Sequence, residues 1–331
     1  MFRRCLTCQD PFPPNAALEH FPIGRRIAYD PERGRLWAVC EACGGWTLAP
    51  FEDRWEALEE LEQKVTAVGS LRPRLAGQTD NISRYRVGPI EVIRVGRSDL
   101  VEEAAWRYGR SSEGAASGEP HPFARRRLRI GEWLNGTAYV VRARVAGKHG
   151  VGGADGVRQW LLYGDTAWRG RRECLACGHP ITEMSYFDGR SLIIRAADSG
   201  SFVPSLVLAC TRCRDEGTGG LHLDGTAAEF VLRRVLAHSQ HRGISANRVR
   251  SAAHLIRGAG GASGLCAIAA RYGRYLSDLP GTTAVALRVL ANAAYEERLL
   301  GLEVKALERQ WRREEELASI VDGELTQVGP G

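Results

Sequence analysis

The chain has 331 residues and carries 44% hydrophobic and 25% charged residues, the balance of an ordinary globular protein with enough length for two or three domains. No uncharged apolar run approaches the ~20 residues needed to span a bilayer, and no N-terminal export signal is legible, so membrane and secreted classes are set aside and a cytoplasmic location is expected. Net charge is +6, with lysine only at Lys64, Lys148 and Lys305, so the positive charge is nearly all arginine. Arginine suits phosphate contact and aromatic stacking, although a GC-rich genome produces the same bias.

The first fifty residues open on Cys5-Leu-Thr-Cys8 and close on Cys40-Glu-Ala-Cys43. Two cysteines two residues apart in a tight turn aim both sulfurs at one ion, and two such turns complete a four-thiolate tetrahedral site. Between the turns, Pro11, Pro13 and Pro14 exclude helix, Asp30 to Gly34 reads as a turn, and Arg35 to Val39 reads as a strand that delivers Cys40. The same layout returns 169 residues later in Cys174, Cys177, Cys210 and Cys213, with 32 residues between the inner cysteines against 31 in the first pair. Eight of nine cysteines in such pairs argue against a disulfide framework, and four pairs argue against a thioredoxin-like redox motif. Thiolates select zinc or iron over hard cations, and two structural zinc ions are the expected cofactors. Cys266, in the apolar run 264–270, is expected as a buried thiol.

The first unit, a knuckle followed by a hairpin, a second knuckle and a helix, is similar to a zinc ribbon or treble clef. Within it, Glu19-His20-Phe21-Pro22 lies between the knuckles and resembles the acid-His pair of treble-clef HNH nucleases. The resemblance covers about forty residues and implies His20 as a general base that activates water beside a catalytic divalent ion. The sequence departs from that family at Arg35, where an asparagine precedes the second knuckle. It departs again at Gly44-Gly45-Trp46, where a histidine or asparagine follows it. Those are the residues that would position His20 and complete a second metal site.

A helix is predicted over 50–68, with Trp55, Leu58, Leu61, Val65 and Val68 on its core face and Glu56, Glu59, Glu60 and Glu62 solvated. Short strands follow at Arg84 to Val87 and Pro89 to Val95, then a helix from Asp99 to Tyr108. Residues 111–122, rich in Gly, Ser and Glu, read as a linker. Beyond it, Ala138 to Val145 and Val157 to Tyr163 read as a β-hairpin around the glycine-rich loop Gly147 to Gly156. That loop lacks the Gly-Lys-Ser/Thr ending of a P-loop. Arg125, Arg126, Arg127, Arg129, Arg169, Arg171 and Arg172 are the candidate nucleic-acid contacts, with a solvated basic face as the plain alternative.

The second cysteine unit, with strands at Leu192 to Ala196 and Ser205 to Ala209, looks like a plain zinc ribbon; Gly178 lets its first knuckle turn, and His179 is redundant as a ligand. The remainder is helical. A helix is predicted from Thr226 to Ser239 with Phe230, Val231, Leu232, Val235 and Leu236 inward, and Ser245 is expected to cap the next one through Ile256. A helix-turn-helix in 246–276 would carry Arg248, Arg250 and Arg257, but its joint, Gly258 to Gly264, reads as longer than a tight turn. A long last helix runs from Thr283 to about Val321 with a heptad-like stripe of Leu300, Val304, Leu307, Trp311, Ala318 and Val321, interrupted by Glu314.

The expected fold is therefore α+β: two zinc-ribbon or treble-clef units, a small central β region and a helical C-terminal region ending in a long helix. The boundaries fall at 1–68, 69–110, a linker at 111–122, 123–225 and 226–331. The expected role is that of a non-enzymatic zinc protein that binds nucleic acid or serves as a protein adaptor. The alternatives are an HNH-like nuclease using His20, or an oligomer built through the last helix.

Overall fold

A computed structural model describes residues 3–69, 81–97, 99–110, 130–145, 153–196, 203–213, 219–241, 243–272 and 275–327. The fold is mixed α and β with several small sheets and a long C-terminal helix.

Strands β1 (Arg26–Asp30) and β2 (Arg35–Val39) form the hairpin expected before the second knuckle, with Asp30 Oδ1 accepting from the amides of Glu32 and Arg33 in the turn. They sit inside a five-stranded sheet of order β3-β2-β1-β5-β4, completed by β3 (Trp46–Leu48), β4 (Ile82–Val87) and β5 (Ile90–Val95). All neighbours are antiparallel except β1 and β5, which pair in parallel with Ile27 opposite Val92. Because side chains alternate across a strand, Ile27, Tyr29, Leu36 and Ala38 enter the main core, while Ala28, Trp37, Val39, Leu48, Ile82 and Ile93 build a second cluster on the other face. Helix α1 (Trp55–Gly69) lies on the first side, with Leu58, Leu61 and Val65 buried and Glu62 holding Tyr29 Oη at 2.6 Å. The second side is covered by α2 (Leu100–Tyr108) through Trp106 and by the long helix through Leu299 and Leu300.

Asp99 caps α2 through the amide of Glu102, and α2 leads into the two-residue strand β6 (Gly109–Arg110), which pairs in parallel with Ile244 and Ser245. Trp55, expected inward, is 66% exposed: it is the first residue of α1, beyond the edge of the sheet that its later turns cover. The hairpin expected over 138–163 is replaced by two helices, α3 (Ile130–Val145) and α4 (Gly153–Tyr163), which pack on one another. Runs such as Val-Val-Arg-Ala-Arg-Val suit strand or helix equally by local pattern, and here the helical pairing of Tyr139 and Val140 with Val157, Leu161 and Phe187 decides. The linker at 111–122, the arginines at 125–129 and the start of the glycine loop lie outside the described residues.

Strands β7 (Thr166–Glu173) and β8 (Pro180–Ser185) pair antiparallel around a knuckle. Strands β9 (Ile193–Arg195), β10 (Ser205–Leu208) and β11 (Leu221–Leu223) form a three-stranded antiparallel sheet. The helical region holds α5 (Gly225–Ser239), α6 (Ala246–Gly258), α7 (Ala262–Tyr272) and α8 (Gly281–Gln327). Ser245 caps α6 as expected, accepting from the Arg248 amide at 3.4 Å. The joint from α6 to α7 is only Ala259 to Gly261, shorter than the sequence implied, since Gly258 ends one helix and Ala262 begins the next. In α5, Phe230 is exposed rather than inward and carries the guanidinium of Arg234 over its ring.

One contiguous core runs from Cys5 and Cys8 through α1, α4, β7, β10 and α5 to Ala294 of α8. Where α8 crosses the first sheet, Glu296 accepts from Trp37 Nε1 at 3.3 Å and pairs with Arg107, whose guanidinium lies over the rings of both Trp37 and Trp46. Among the described residues, no helix is long and apolar enough to cross a membrane.

Candidate metal centres

Three of the four knuckles are closed by backbone among the described residues, before any metal is considered. In the first, the Gln9 amide bonds the Cys5 carbonyl at 2.9 Å and the Cys5 amide bonds Asp10 O at 2.9 Å. The second repeats this with Gly44 to Cys40 at 2.8 Å and Cys40 to Gly45, and the third with Gly178 to Cys174 at 2.8 Å and Cys174 to His179. The residue after the second cysteine must turn left-handed for this closure, which Gly44 and Gly178 do freely at φ of 69° and 66°, and which Gln9 does at 64° as the one non-glycine exception among the described residues.

The turns bring the sulfurs into two tetrads, Cys5, Cys8, Cys40, Cys43 and Cys174, Cys177, Cys210, Cys213, each with all four Sγ within 4.8 Å of one another. In the first, Cys5 and Cys43 are 3.6 Å apart and Cys8 and Cys40 3.7 Å; in the second, Cys174–Cys213 and Cys177–Cys210 are both 3.7 Å. A disulfide needs ~2.05 Å, so these are not bridges. Metal–sulfur bonds of ~2.3 Å in tetrahedral geometry place sulfurs ~3.8 Å apart, so the residues fit one four-coordinate metal ion per tetrad.

Backbone amides stabilise the thiolate charge. Thr7 and Gly45 donate to Cys5 and Cys43 at 3.4 and 3.3 Å, and Gly220 and Arg212 donate to Cys174 and Cys210 at 3.1 and 3.4 Å. The Gly220 amide, with those of Cys177 and Ala176, draws the Cys174 thiol down to about 6. Gly220 is a residue the sequence reading missed. At φ 103° a Cβ there would stand 2.2 Å from the Leu208 carbonyl oxygen, so only glycine brings this amide to the sulfur. Its one sequence signal is the pair Gly219-Gly220 before a strand.

The environments differ. Cys5, Cys8 and Cys40 are buried and Cys43 partly so, whereas Cys177 and Cys213 are exposed. Around the first unit, arginines meet carboxylates: Arg26–Glu91 at 2.8 Å, Arg54–Glu303 at 2.9 Å and Arg94–Glu62 at 2.8 Å. Around the second, Arg169, Arg171 and Arg172 stand exposed on β7 and Arg212 on the fourth knuckle; none of the four makes an ion pair among the described residues, although Glu183 is the strand neighbour of Arg169.

His20 is exposed, and its amide and that of Glu19 donate to the Glu60 carboxylate of α1 at 3.0 to 3.1 Å. Among the described residues the two cysteine tetrads are the only metal-capable clusters, so no further ligand set surrounds His20. Cys266 is buried, and burial pushes its thiol up to about 11. No family model matches this chain, and no curated protein or solved structure matches it either.

Proposed function

We propose that this chain is a non-enzymatic nucleic-acid-binding protein in which two structural zinc ions hold the fold, and that the hairpin of β7 and β8 is its contact surface. The observation that carries this reading is the row of exposed arginines, Arg169, Arg171 and Arg172, beside Arg212 on the second metal unit, without an ion pair among the described residues. Around the first unit Arg26, Arg54 and Arg94 are matched with acids, whereas these four exposed guanidinia gathered on one small clamped unit favour an external polyanion. Both tetrads have four protein ligands and no open coordination position, which favours structural over catalytic metal. Zinc is preferred to iron because closed four-cysteine sites on knuckle turns are its commonest structural use.

The test is fluorescence anisotropy of the intact protein with single- and double-stranded DNA and RNA over a salt series. Each lost phosphate contact lowers the slope of log affinity against log salt by about 0.9 on duplex DNA and about 0.7 on single strands. Replacing Arg169, Arg171 and Arg172 together with alanine is expected to lower the slope by about 2 to 3 while metal content stays at two per chain. Absent or salt-independent binding by the intact protein would remove the reading.

A further inference from the structure

A narrow cavity lies where the second knuckle meets the helices, and its walls include Gly44, Trp46, Arg107, Tyr108, Arg233 and Arg288. Three different helices bring the three arginines there: Arg107 stands near the end of α2, Arg233 in α5 and Arg288 in the early turns of α8. Arginine keeps its charge at every ordinary pH, so burial does not neutralise these groups. The Arg107 side chain is only 8% exposed and Arg233 9%, while Arg288 is half-buried.

Among the described residues, carboxylates answer only one of the three. Arg107 pairs with Glu296 and, at 3.1 Å, with Glu103. Arg233 and Arg288 make no ion pair among the described residues and meet neutral amides instead: Arg233 Nε donates to Asn292 Oδ1 at 3.0 Å, and a terminal nitrogen of Arg288 donates to Gln240 Oε1 at 3.2 Å. The rings of Tyr295 beside Arg233 and Tyr108 beside Arg288 add cation–π attraction but no charge. The Nε–H groups of Arg107 and Arg288 are buried with no acceptor, a costly state for a charged donor. Nor do the sulfurs of the first tetrad take them, since the hydrogen bonds to those sulfurs come from backbone amides and from one another.

We propose that this cavity binds one monatomic anion of halide size, chloride in ordinary solution, held by the Nε–H groups of Arg107 and Arg288 and by the charge of Arg233. The room for the centre of a water-sized body is ≈ 10 Å³, enough for one such body and too little for the four oxygens of phosphate or sulfate. A water molecule satisfies the two donors but leaves the buried positive charges of Arg233 and Arg288 uncompensated. An anion does both. Bound there, it joins α2, α5 and α8 at the wall of the first metal unit, so its binding adds to the stability of the folded chain. None of the β7 arginines takes part, so anion binding and nucleic-acid binding stand or fall separately.

Thermal unfolding of the intact, metal-loaded protein tests the site, with sodium chloride replacing sodium gluconate stepwise at constant ionic strength. Gluconate is too large to enter, so the wild-type midpoint is expected to rise by about 2–4 °C per tenfold increase in chloride above the dissociation constant, and bromide is expected to act alike. Arg288→Gln removes one charge and one Nε–H; it is expected to keep both metals and to lose this dependence. A wild-type midpoint indifferent to chloride overturns the proposal, as does an equal rise in Arg288→Gln. Loss of a metal from that variant also overturns it, because the arginine then serves the tetrad. If Arg288→Gln does not fold, anomalous diffraction from wild-type crystals grown in bromide decides. A peak in contact with Arg107 Nε and Arg288 Nε is expected, and a cavity without one refutes the anion.

Discussion

The two metal units share a ligand pattern and a knuckle geometry, yet they stand in opposite surroundings. In the first, the tetrad is built into the core: its hairpin is the centre of a five-stranded sheet, α1 and α8 cover the two faces, and Arg26, Arg54 and Arg94 are matched by acids. In the second, half of the ligands are exposed and the hairpin beside them carries bare arginines. A four-thiolate clamp therefore does not fix what its unit is for. The same ion is a keystone where apolar layers close over it, and a support for a presented surface where they do not.

The contrast can be broken most severely at the ligands. Structural zinc contributes ~10 kcal/mol or more, comparable to the 5–15 kcal/mol stability of a whole domain. Cys40→Ser is therefore expected to abolish the main cooperative unfolding transition, whereas Cys213→Ser should lose one metal and leave that transition in place. Metal analysis with thermal denaturation distinguishes them; equal damage from both would erase the contrast. Graded chelation should likewise empty the exposed second site before the first.

Next in size is the contact that ties the first unit to α8. Glu296→Ala leaves buried Arg107 without its main carboxylate and removes the acceptor of Trp37, so a loss of about 3–5 kcal/mol is expected in denaturant unfolding. Arg171→Ala on the second unit should stay within about 0.5 kcal/mol while weakening nucleic-acid binding.

A third test uses His238, which lies in the core between the units, stacked on Tyr186 with ring centroids 4.3 Å apart, its Nδ1 3.1 Å from Gln159 Nε2. Burial, aided by Arg190 and His241, lowers its pKa to about 3. An unfolded chain binds a proton near pH 6.5 that the folded chain refuses, so this contribution is complete above that pH and is lost as pH falls toward 3. The slope is about 1.4 kcal/mol per pH unit. His238→Phe should flatten the decline of stability between pH 6.5 and 5, measured as denaturant midpoints; an unchanged slope would place the titration elsewhere. A small effect is also expected at Gln9, the left-handed non-glycine: Gln9→Gly should change stability by less than about 1 kcal/mol in denaturant unfolding, because relief of strain and added chain entropy oppose one another.

Both tetrads, the first hairpin, the Ser245 cap and the long last helix were legible because each rests on local chemistry. Two thiols in one turn, a side-chain oxygen at a helix start and a helical stretch free of proline act within a few residues. The misreadings share another cause. Val140 and Val157 belong to helices because Tyr139, Leu161 and Phe187 close around them. Trp55 and Phe230 satisfy a helical stripe yet face outward: Trp55 is the first residue of α1, and Phe230 lies with the half-exposed Ala227 and Arg234 on the side of α5 away from the buried Ala228, Val231 and Leu232.

The sequence by itself determined the eight candidate ligands and their grouping in fours, because these depend on residue identity and spacing. Only the tertiary structure decided that β1 pairs in parallel with β5 some sixty residues away, that Gly220 carries an amide to Cys174, and that one metal unit is enclosed while its counterpart is open. Burial is a property of what packs against a segment. Nothing in two nearly identical cysteine patterns encodes which of them the rest of the chain will cover.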